Sequence, residues 1–159
     1  QRLETQRQRC ALLSGDTQPK DDLDRNFLAG VHLRNGRPVE ALGYFRQLLG
    51  SEENRHKLGL LIEGIRAASL SAAQAKDAGE KAAFLDEGLK WLELDVTLCR
   101  SELERAPGMI AEAPDELKEG LEKTRLAVVK HLADLEAHAD LEALRATPRW
   151  RKLFPAPEK

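Results

Sequence analysis

Long apolar runs are missing from this chain. No stretch approaches the ~18 consecutive apolar residues that a membrane-spanning helix needs, and the opening QRLETQRQRC is too polar for a signal peptide. A dominant charge sign is missing too. The 25 Lys and Arg against 27 Asp and Glu leave a formal net charge of −2, so no long-range field would gather nucleic acid or an anionic membrane. Cys10 and Cys99 are the only cysteines and stand far apart, which leaves no disulfide framework and no CxxC site, and a reducing cytoplasm is the expected compartment. Aromatics make up only 4% of the chain, so the stiff, bulky side chains that favour strands are scarce. Methionine occurs once, at Met109, and the chain opens on Gln1; we read it as a piece of something larger.

What is abundant is Ala, Leu, Glu, Lys and Arg, side chains that lose little rotamer freedom in a helix. Residues 1–18 read as a leading helix that runs into the loop-forming Ser14-Gly15-Asp16-Thr17. From Asp21, acids in the first turn, apolar Leu23, Phe27, Leu28 and Val31, and a closing Asn35-Gly36 mark a helix. Pro38 opens a second one, with Val39, Leu42, Phe45 and Leu49 on one side and Gly50 as its stop. Ser51-Glu52-Glu53 reads as the cap of a longer helix whose seam is Leu58, Leu61, Ile65, Ala68, Ala72 and Ala75. After a break at 77–79 the seam resumes as Leu85, Leu89, Leu92, Val96, Cys99 and Leu103, and Pro107-Gly108 is expected to end it. Pro114-Asp115-Glu116 then starts a helix carrying Leu117, Leu121, Thr124, Val128, Leu132 and Leu135. The tail at 139–154 reads as one or two short helices broken before Pro148, with PAPEK fraying beyond. No run alternates at the strand period, so the fold class is all-α: antiparallel helical hairpins side by side, with longer helices in the C-terminal half. We take 1–159 as one domain, with its best hairpin at 21–55, long helices at 56–136 and capping helices at 139–154.

Residues 22–55 resemble the tetratricopeptide repeat, a helix–turn–helix unit of about 34 residues. Leu28 and Ala29 fall on the first helix's Leu–small pair, Gly36 on the turn, Ala41 on the small position of the second helix and Phe45 on its aromatic. Arg25, His32 and Glu53 depart from the usual Trp, Tyr and Pro. LKWLELDVTL and the tail ADLEALRATPRWRKLF look like the closing repeats of bacterial serine/threonine kinases with a tetratricopeptide extension, carried by Asp140, Leu141, Leu144, Arg145, Pro148, Trp150 and Leu153. The resemblance implies a right-handed hairpin array at the end of a larger protein. It brings no kinase chemistry, because the chain has no Gly-rich loop, HRD or DFG motif.

In such an array the ligand surface is lined by the first helix of each hairpin, which makes Arg25, Asn26, Ala29 and His32 the candidate protein-binding residues; Arg and Asn hydrogen-bond extended chains without a deep pocket. Arg145, Arg149, Trp150 and Arg151, with Lys152, form the one basic–aromatic cluster, readable as a core-shielding cap or as an acidic-peptide contact. Trp91 reads as core rather than as an exposed anchor. No metal or cofactor site is assigned: His131 and His138 stand two helical turns apart without a near third ligand, and Asp134 with His138 reads as a surface pair. Cys99 sits on the seam as a small hydrophobe, and Cys10 lies among arginines that could lower its pKa. No nucleophile–base pair or isolated carboxylate pair points to an enzyme. The expected role is recognition of a protein or peptide partner. The alternative is a structural segment whose seams at 85–103 and 117–135 make a long antiparallel hairpin that forms a homodimer; Leu94, Leu98, Leu126 and Val129, off the main seams, either bury against neighbouring hairpins or mark that dimer surface.

Overall fold

The computed structural model describes residues 2–155, so that the expected fraying of PAPEK lies, from Ala156 on, outside the described residues. Among those described there are eight α-helices, two 3-10 turns and no strand: α1 (Arg2–Ser14), α2 (Asp22–Arg34), α3 (Pro38–Gly50), α4 (Leu58–Gln74), α5 (Ala78–Glu112), α6 (Asp115–Ala137), α7 (Glu142–Arg145) and α8 (Pro148–Leu153). The all-α class follows from the composition, and the boundaries follow from local chemistry. Asp21 caps α2 by accepting the Asp24 N–H at 2.9 Å, and Asp77 caps α5 by accepting from Glu80 at 2.9 Å. Between α2 and α3 the chain turns at Gly36, whose φ of +68° a residue with a Cβ rarely adopts. Among the described residues no helix is long and apolar enough to cross a membrane.

Consecutive helices pack on one another from α2 to α6. The first core cluster joins α2, α3 and α4 through Ala29, Ala41, Leu42, Phe45, Ala67 and Ala68, with Phe84 of α5 at its edge. A second joins α4 and α5 through Leu61, Ile65, Leu92 and Val96, and the tail completes it with Leu141, Leu144 and Trp150. Helices α4 and α5 approach closely enough that a Cβ on Gly88 would stand 3.0 Å from the Ala68 methyl. Trp91 lies half-buried between the two clusters, against Gly64.

Two boundaries and one seam differ from expectation. The helix expected from Ser51 begins only at Leu58, after a 3-10 turn at Glu53–His56. Asn54 is buried and donates its amide to Leu48 O at 3.0 Å, in the last turn of α3, and to Asp22 at 2.8 Å, so its side chain ties the turn to α3 and α2 instead of opening a helix. Helix α5 does not stop at Pro107 but continues to Glu112. One backbone hydrogen bond is lost there, and Ala106 and Ile110, on either side of it, face Leu121 of α6 across a small cavity. The third concerns α6: of its expected seam only Val128 and Leu135 are buried, and Leu117 is 59% exposed.

Candidate functional site

An open groove of about 590 Å³ lies where the α1–α2 loop, α2 and α3 meet. Arg25 and His32, two helical turns apart, line it from α2; Glu40, Tyr44 and Gln47, one turn apart from each other, line it from α3; Gln18 and Pro19 close one end. His32 stacks on Tyr44 with ring centroids 5.7 Å apart. Arg25 donates to Gln47 Oε1 at 3.2 Å and to Asp22 at 3.0 Å. The Asn54 amide, and after it Arg25, hold the Asp22 carboxyl below the usual carboxylate range. The site is thus a shallow trough lined by one aromatic stack and by polar side chains.

The four residues expected to form one surface do not share one. Arg25 and His32 meet in this groove. Asn26 lines a second depression between α2 and α4, together with Arg34, Glu63 and Arg66. Ala29 is fully buried, which corrects its assignment as a contact residue: its missing bulk lets α2 and α3 approach, and no partner can reach it.

The tail cluster is largely turned inward. Trp150 is only 4% exposed and packs on Phe154, with centroids 4.7 Å apart. Arg145 lies over the Trp150 ring and donates to the carbonyls of Glu136 and His138, satisfying the open end of α6. Arg149 pairs with Glu93 at 2.9 Å and Asp86 at 2.8 Å, both on α5. Arg66 of α4 reaches Asp140 at 2.7 Å from the other side. Of the named four, only Arg151 is exposed.

A polar cluster that sequence spacing alone does not reveal lies between α5 and α6. Asp95 is completely buried; its Oδ1 receives His131 Nε2 at 2.8 Å and the Cys99 thiol at 3.4 Å, and its Oδ2 has no hydrogen-bond partner. The Asp95 hydrogen bond raises the His131 pKa above its ordinary value, against the opposing effect of burial. Burial, and then the Asp95 charge, push the Cys99 thiol up to about 12, so at neutral pH it is protonated and a poor nucleophile. His138 plays no part: its Nδ1 accepts the Asp140 N–H at 3.2 Å. Nor does Asp134 pair with it, since Asp134 accepts from Lys130 instead. The signal in the sequence is the stripe Gly88–Leu92–Asp95–Cys99, in which one carboxylate interrupts an apolar three–four spacing.

No protein-family model, curated protein or solved structure matches the chain.

Proposed function

We propose that this chain is a protein-interaction module of the tetratricopeptide type, which holds an extended segment of a partner protein in the trough between α2 and α3. The observation that carries the reading is the convergence of Arg25, His32, Tyr44 and Gln47 on one open groove. An extended peptide presents alternating N–H and C=O groups and needs acceptors, donors and a flat apolar platform rather than an enclosed cavity. Gln47 supplies the first two, the His32–Tyr44 stack supplies the platform, and Arg25 fits a carboxylate of the partner. Its present partner Asp22 is exposed, and an exposed ion pair is worth little, so exchanging it for a partner's carboxylate costs little. The module would serve a larger protein in a reducing compartment, in keeping with its two free thiols.

Self-association is the second reading. Met109, Leu117, Leu126 and Val129 are all exposed on the α5–α6 hairpin, which is where a second copy would cover them. Light scattering across a concentration range, joined to affinity capture by the wild type and by Arg25→Ala and Tyr44→Ala, separates the two. Recognition predicts a monomer and a discrete captured protein lost from both variants while their circular dichroism is unchanged. Capture that survives both substitutions removes the groove from the reading. A stable dimer that captures nothing replaces recognition with self-assembly.

A further inference from the structure

The buried cluster between α5 and α6 contains a ligand set, and its argument is independent of the groove. We propose that Asp95, Cys99 and His131 form a Zn²⁺ site that ties α5 to α6, with a carboxylate oxygen, a thiolate and the imidazole Nε2 as protein ligands and water in the fourth position.

Geometry comes first. One donor atom from each residue lies within 4.8 Å of the other two. Tetrahedral zinc with bonds of about 2.0 to 2.3 Å sets its ligand atoms roughly 3.3 to 3.7 Å apart. The Cys99–Asp95 separation of 3.4 Å is already in that range, and the His131–Asp95 separation of 2.8 Å has to open by only about half an ångström. Two of the ligands, Asp95 and Cys99, are one turn apart on a single rigid helix, so only the His131 edge has to adjust. That edge is also the way in, because the His131 side chain is 18% exposed whereas Asp95 is fully enclosed.

Chemistry selects the ion. A thiolate, an imidazole and a carboxylate form a mixed S, N and O set, which suits a borderline divalent metal and is wrong for Mg²⁺ or Ca²⁺, which take oxygens in larger number. Coordination deprotonates the thiol and clears His131 Nε2 of the proton it now directs at Asp95, both protons leaving to solvent, and the carboxylate and thiolate then cancel the ion's two charges. A neutral site is what a buried position requires. The Asp95 Oδ2 atom points to the same conclusion: a buried carboxylate oxygen without any hydrogen-bond partner is costly, and a metal shared with Oδ1 offers it a second charge partner.

The test uses the full chain carrying Cys10→Ser, which removes the exposed thiol, after treatment with a chelator. Titration with Co²⁺ should give one tetrahedral cobalt per chain with a thiolate-to-cobalt charge-transfer band, and stoichiometric Zn²⁺ should abolish that band. Cys99→Ser, nearly isosteric, should lose the band and weaken Zn²⁺ binding about 100-fold or more, since even outer-shell losses reach that size. His131→Gln keeps a donor for Asp95 and with it the helix contact; it should bind Zn²⁺ as weakly, and Zn²⁺ should no longer raise its thermal midpoint. No charge-transfer band in the folded Cys10→Ser protein at excess Co²⁺ overturns the site, leaving a buried ion pair in its place. So does a Cys99→Ser protein that holds Zn²⁺ with undiminished affinity.

Discussion

In the α2–α3 hairpin, Ala29, Ala41, Leu42 and Phe45 are each no more than 1% exposed, and α4 covers the pair from the third side. In the α5–α6 hairpin, only Val128 and Leu135 of α6 are buried, and the contact leans on the His131–Asp95 pair. The two hairpins carry similar apolar spacings but differ in what lies behind them. Small residues bring α2 and α3 close and a further layer removes the remaining surface from water, so their stability is hydrophobic. Helix α6 has the tail beside its C-terminal end and solvent along the rest, so a directional polar bond does work that packing does not. A seam states which face of a helix is apolar; whether that face is buried depends on what covers it.

Substitutions can sharpen this contrast. Phe45→Ala, which empties the centre of the first core, should lower stability by about 4 kcal/mol, read as a shift of the denaturant midpoint at constant slope. A loss below 1 kcal/mol would mean that the small-residue hairpin is not the stable half. Next in size is His131→Ala, which leaves the Asp95 carboxylate buried without its partner and should cost about 3 kcal/mol. Hydrogen exchange should place that loss in α6 first and spare α2 and α3. Equal deprotection of both hairpins would abolish the distinction.

The same pair gives a pH dependence in the metal-free protein. Facing the His131 ring are Asp95 and Cys99 from α5 and Asp134 from its own helix, and the carboxylates raise its pKa above the ordinary 6.5. A group whose folded value is raised contributes its full stability below the unfolded value and loses it as the pH climbs through the folded one. The stability difference between wild type and His131→Gln should therefore be largest below pH 6.5 and should narrow above it. A difference that stays constant from acid to alkaline pH would show that the charge of His131 contributes nothing.

How far these features could be read from sequence depends on whether the signal was local. Helix existence, the Gly36 turn and the Asp77 break are decided within a few residues, and those positions are where the spacing put them. The late start of α4 goes with Asn54 finding Asp22, 32 residues earlier, and the passage of α5 through Pro107 with α6 lying against α5, so neither is decided by the local stretch in which it occurs. The site divides in the same way. Arg25 and His32 share a helix face and therefore a groove, whereas Asp95 and His131 belong to different helices 36 residues apart. Ala29 was misplaced as a contact because helix spacing gives a face without saying which neighbour closes it.

The smallest effect bears on that last point. Leu117 heads the α6 seam and Leu126 lies off it, yet both are exposed, at 59% and 51%. If solvent is their only neighbour, replacing both with Gln removes no buried area, and exposed substitutions of this kind usually fall within about 0.5 kcal/mol. The double substitution Leu117→Gln with Leu126→Gln should therefore leave the denaturant midpoint nearly unmoved and the solution mass that of one chain. If a second copy covers the hairpin, the same change strips two apolar anchors from an interface. The midpoint would then fall by more than 1 kcal/mol in a concentration-dependent way, and the mass would drop from dimer to monomer. The exposed half of α6 would in that case be the missing third layer, supplied in trans, and the contrast between the hairpins would be one of assembly rather than of packing.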